Sequence, residues 1–67
     1  MDNKQRYQNL TEKLIADPTT RPHLWSDADI QEHFTLATLL GTIRGLDLPG
    51  HRNWLVYQWE EYAIEVG

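Results

Sequence analysis

Apolar residues recur at the three-to-four-residue spacing of helices, not the alternation of strands, in three stretches of the chain. Two clusters of proline and glycine, Pro18–Pro22 and Gly45–Gly50, separate them. The pattern predicts an all-α fold, a small three-helix bundle with helices over about 3–16, 26–45 and 49–66, in one domain spanning 1–67.

In the first helix, capped by Asp2 or Asn3, Tyr7, Leu10 and Leu14 form one narrow stripe with Ile15 at its edge. A thin stripe suits a helix laid on the surface of others. Asp17-Pro18 stops it, because proline pushes the residue before it out of the α region. The second helix has clearer punctuation. Ser26 is the N-cap with Asp29 at N3, and Trp25 and Ile30 stand at the spacing of a hydrophobic staple. Arg44, Gly45 and Leu46 read as its C-terminal cap. Between these limits Ile30, Phe34, Leu36, Ala37, Leu39, Leu40 and Ile43 cover more than half the circumference, the pattern of a central helix clamped between two others. Gly41 within it, at a propensity cost of about 1 kcal/mol, suggests a close backbone approach.

The third helix has two candidate starts: Asp47 as cap with Pro49 in the first turn, or a Pro49-Gly50 turn followed by Asn53 as cap. Its aromatic run would suit a strand, but the helical period and the lack of a partner strand favour helix. On a helical wheel it has two apolar faces. Leu55, Val56, Trp59, Tyr62, Ala63 and Val66 form the core face. Trp54, Tyr57 and Ile64, with Glu61 among them, lie roughly opposite. A peripheral helix of a three-helix domain needs only the first face. Trp54, Tyr57, Glu61 and Ile64 are therefore the candidate partner-binding residues, since aromatic patches rimmed by polar groups mark interfaces. The competing expectation is intramolecular: Trp54 tucked under the Leu46–Leu48 loop, or Tyr57 covering the open end of the domain.

Composition narrows the function. At 67 residues and 40% hydrophobic the chain can fold, but a core this small supplies only about 3–5 kcal/mol, so good helix packing or self-association must add to it. The absence of cysteine excludes disulfides, iron–sulfur sites and cysteine-containing zinc fingers. The net charge is −4 and the six Lys/Arg are dispersed, which disfavours phosphate-tracking surfaces. No apolar run approaches the roughly 20 residues of a membrane span, and the polar N-terminus lacks the apolar core of a signal peptide, so no membrane is expected and a cytoplasmic setting is.

Candidate chemistry changes the picture little. Asp29 and His33 share a helix face at a spacing that can hold zinc, but His23 and His51 fall in expected loops, and a partly buried His33 or an Asp29–His33 pair is the simpler expectation. Glu60 and Glu61 diverge on their helix, and no nucleophile or phosphate-loop motif is present. No catalytic residue, metal or cofactor is expected. A helix-turn-helix DNA-binding regulator is the first alternative, on three helices and the Ala37-x-x-x-Gly41 spacing; its recognition helix would present Glu60, Glu61 and Glu65 to phosphate after an overlong connection. The second alternative is the converse, an acidic protein that occupies the nucleic-acid-binding groove of a partner. The expectation preferred over both is a non-enzymatic protein-interaction module, an adaptor, inhibitor or assembly subunit, binding a foreign protein or a second copy of itself through the third helix.

Overall fold

The computed structural model describes residues 2–17 and 19–66, for Val66 the backbone alone. Its helices are α1 (Asn3–Leu14), α2 (Asp27–Leu40) and α3 (Leu48–Val66), with a 3₁₀ turn at Pro22–Leu24, and among the described residues there is no strand.

Each helix starts where a short polar side chain can take a free amide. Asp2 Oδ1 accepts from Gln5 N–H at 2.8 Å, and Ser26 Oγ from Asp29 N–H at 3.1 Å. Asp47 decides between the two starts of α3: its carboxylate accepts from Gly50 N–H at 2.8 Å, and Pro49 sits in the first turn, where no amide is needed. A Cβ at position 50 would meet Asp47 Oδ1 at 2.9 Å, so a larger residue there would push the capping carboxylate aside.

α1 and α2 run antiparallel. Arg6 pairs with Glu32 at 2.8 Å and Lys13 with Asp29 at 3.1 Å, both near the surface. Between them Leu10 and Leu14 of the narrow stripe are buried against Ile30. The helical bonds of α1 continue to Ala16, as Ile15 N–H reaches Thr11 O and Ala16 N–H reaches Glu12 O. Pro18, to which the sequence assigns the stop, lies outside the described residues. Trp25 returns the chain to the core: its ring is buried and its Nε1 donates to Leu14 O at 3.2 Å, one of the carbonyls the end of α1 leaves free.

The end of α2 differs from expectation. The helix stops at Leu40 rather than near Gly45, because Gly41 turns left-handed at φ 72°. Thr42 N–H bonds Ala37 O at 3.0 Å and Gly41 N–H bonds Thr38 O at 3.1 Å, the paired bonds of a Schellman end. Gly41 is thus a stop and not a close-approach site. Gly45 also has a positive φ, 74°, but within the connection to α3.

Nor is α2 clamped along its whole length. It is buried at Ile30, His33, Leu36 and Ala37, whereas Leu39 and Leu40 are exposed and Ile43 has left the helix. α3 meets α2 where His51 lies against His33 and Phe34 and where Leu55 joins Ile30 in the core, and farther along it reaches the segment joining α1 to α2. There Trp59 Nε1 donates to Thr20 O at 3.2 Å, and the guanidinium of Arg21 lies 5.7 Å from the centre of the Trp59 ring. The second half of α2 has no third helix to hide under.

Candidate functional site

α3 carries both features of functional interest, on opposite sides. The inward side is centred on His51 and Leu55, each fully buried. Val56 and Trp59 pack partly against the core, Tyr62 and Ala63 are half-buried, and the side chain of Val66 lies outside the described residues. The buried arc is therefore rotated toward Trp54 relative to the face expected from the wheel. The cause is His51: placed by the sequence in a loop, it is the fourth residue of α3 and faces inward toward His33 of α2.

His33 and His51 form a hydrogen-bond relay whose direction can be derived. Thr11 Oγ1 lies 2.8 Å from Tyr7 O, and since a carbonyl carries no proton the hydroxyl must donate. Its oxygen then accepts from Nε2–H of His33, 2.7 Å away. A neutral His33 protonated at Nε2 has a bare Nδ1, which accepts from Nε2–H of His51 at 2.8 Å. Donation runs from His51 to His33 to Thr11 and ends on the Tyr7 carbonyl, linking all three helices. It leaves Nδ1 of His51 as a buried lone pair that no donor reaches. Aromatic rings enclose the pair, Tyr7 4.5 Å from His33, with Phe34 at 5.5 Å and Trp54 at 5.6 Å from His51.

Burial disfavours the imidazolium at both positions. It lowers His33 to about 4, with a further push from charge on His51, and it lowers His51 as well. Asp29 plays no part here. It binds Lys13 instead of His33, because it sits on the flank of α2 facing α1 at the surface while His33 points inward. Among the described residues no three His, Asp or Glu side chains gather closely enough to hold a metal ion. The relay also occupies three of the four imidazole nitrogens of the pair with hydrogen bonds. Sequence reasoning recognised His33 as a buried-side residue but missed its partner. The available signal was the Asp47 cap: with α3 starting at Leu48, His51 and Leu55 fall four apart on one side.

The outward side holds the residues expected to bind a partner, and the structure divides them. Ile64 is 79% exposed, Tyr57 is 57% exposed, and Glu61 is exposed beside them. Trp54 stands apart: it is half-buried, its ring nearly parallel to His51 at 17°, so it backs the outward face without forming its surface. The Tyr57 hydroxyl hydrogen-bonds Glu61, and this bond, with the nearby negative charge, raises the phenol above its ordinary value. Glu60 and Glu65 are also exposed, and among the described residues no cation pairs with Glu60, Glu61 or Glu65. No protein-family model matches this chain, and no curated protein or solved structure is similar to it.

Two further features complete the surface. A groove of about 360 Å³ lies where α2 and α3 begin, with Ile30, Leu48 and Pro49 as its apolar wall and Asp27 and Arg52 among its polar lining. Leu39 near the end of α2 (66% exposed) and Leu46 in the connection to α3 are also exposed apolar side chains. Among the described residues no helix is long and apolar enough to cross a membrane.

Proposed function

We propose that this chain is a small non-enzymatic protein-interaction module, acting in the cytoplasm, which docks a basic surface of a partner protein through the outward face of α3. One observation carries this. Tyr57 and Ile64 stand in solvent on a formed helix, among three carboxylates that no cation of the described chain neutralises. The apolar pair supplies anchoring, each side chain contributing about 1.5–3 kcal/mol if fully covered. The helix is already ordered, so little backbone entropy is lost on docking. Glu60, Glu61 and Glu65 select the partner by charge and speed its approach. Trp54 braces the face from behind through its stack on His51. A second copy docking by the same face would set these carboxylates against their own kind, and phosphate would be repelled likewise, so a basic protein is the better fit.

The test is capture from an extract of the native cells on immobilised wild type and on the Tyr57→Ala/Ile64→Ala variant. A basic-surfaced protein should be retained by the wild type, lost from the variant, and released as salt rises from about 0.05 to about 0.5 M. Retention unchanged by the variant, a wild-type mass by light scattering equal to a dimer, or retardation of a DNA duplex at low salt would each overturn the proposal.

A further inference from the structure

The buried relay has a weak point that its own geometry identifies. Of its four ring nitrogens, two donate and one accepts, and only Nδ1 of His51 is free to take a proton. We propose that the His33–His51 contact is an acid-released latch: a proton taken up at Nδ1 of His51 frees α3 from the α1–α2 pair.

The groups around the pair offer nothing to hold the proton. From α1 come the Tyr7 ring and the Thr11 hydroxyl, the latter already donating to Tyr7 O. From α2 comes Phe34, and Glu32 beside His33 is bound to Arg6 at the surface. From α3 comes Trp54, and Arg52 beside His51 is exposed and would repel an imidazolium. Asp47, which precedes α3, has its carboxylate on the Gly50 amide. Neither ring ion-pairs with a carboxylate among the described residues. Protonation would therefore create a buried cation with an N–H that has no acceptor. The cheapest remedy is for that ring to reach water, and His51 can do so only if the first turns of α3 lift from α2. The lowered affinity of both rings for protons agrees with this. The α1–α2 pair keeps contacts that owe nothing to His51: Arg6–Glu32, Lys13–Asp29 and the Leu10–Leu14 stripe against Ile30. The latch is independent of the partner proposed for the outward face.

Amide ¹H–¹⁵N spectra from about pH 7 to about pH 4 test it directly. In the wild type, signals from His51 to Trp59 should lose their folded positions at a higher pH than those of Leu10 and Leu36. His51→Gln keeps a side-chain N–H toward His33 and removes the basic nitrogen, so its α3 signals should hold to a lower pH than those of the wild type, where the acid loss from His33 alone remains. The double variant His33→Phe/His51→Phe, which has no titrating ring, serves the same purpose if the buried amide prevents folding. Wild-type α3 signals that persist to about pH 4, all three helices melting at one pH, or a variant that follows the wild-type profile would each overturn the latch.

Discussion

The inward and outward sides of α3 reverse the usual order of hydropathy. On one side a histidine is 0% exposed, and on the other an isoleucine is 79% exposed. Transfer preference of the residue types does not account for this, and their surroundings do. His51 can be buried because its N–H meets Nδ1 of His33, which is itself fixed by Thr11. Ile64 is bare because no other described element covers the outward side of α3 there. A buried polar group depends on the geometry of its partners, and an exposed apolar group reflects a missing neighbour.

The largest effect should separate the two sides outright. Leu55→Ala removes a fully buried side chain from the cluster of Leu10, Leu14, Trp25 and Ile30, and should cost about 3 kcal/mol. In a domain of about 3–5 kcal/mol this leaves about 0–2 kcal/mol, so the melt followed by circular dichroism should shift steeply downward and up to about half of the chain should be unfolded at about 25 °C. A loss below about 1 kcal/mol in urea would mean that α3 is not docked as described.

Next comes the dependence on acid. Well above pH 6.5 both histidines are neutral in folded and unfolded chains, so they add no pH dependence to stability. As pH falls from 6.5 toward about 4, the unfolded chain binds protons that the folded His33 refuses, and the lowered His51 acts in the same direction. Stability should therefore fall with acid across that window, for His33 by on the order of 3 kcal/mol at ~1.4 kcal/mol per unit. Urea midpoints that stay constant between these pH values would contradict burial of the pair.

A smaller effect tests the second polar attachment of the inward side. Trp59→Phe keeps an aromatic ring but loses the bond to Thr20 O, at a cost of about 1 kcal/mol in thermal melts. The smallest effects belong to the outward side. Tyr57→Ala and Ile64→Ala should each change stability by less than about 0.5 kcal/mol while abolishing partner capture. A drop in stability like that of Leu55→Ala would show that these side chains are covered in solution, and the contrast between the sides would disappear.

Local signals were read well. Asp2 and Ser26 cap as expected, Trp25 joins Ile30 in the core, and the stripe of α1 is the stripe that is buried. Sequence assigns the stop of α2 to Gly45 and a close approach to Gly41, but both glycines turn left-handed, and the backbone bonds to Ala37 O and Thr38 O put the stop at Gly41. The later end kept Ile43 in the helix, while Leu39 and Leu40 are exposed because α3 does not cover them, and the open choice between Asp47 and Asn53 as the cap of α3 is what left His51 in an expected loop and concealed the histidine pair. Of the candidate surface, Tyr57, Glu61 and Ile64 stand in solvent. Trp54 does not share their exposure, because its ring packs against the core cluster and stacks on His51.

Helix number, caps and the amphipathic stripes were determined by the sequence itself, since each depends on residues within a few positions of one another. Which stripe found a cover was decided only by the tertiary structure. The His33–His51 bond and the bracing of Trp54 join segments eighteen or more residues apart or follow from that joining. Such contacts depend on where a whole helix lies, and helical spacing alone contains no information about the path of the chain between helices.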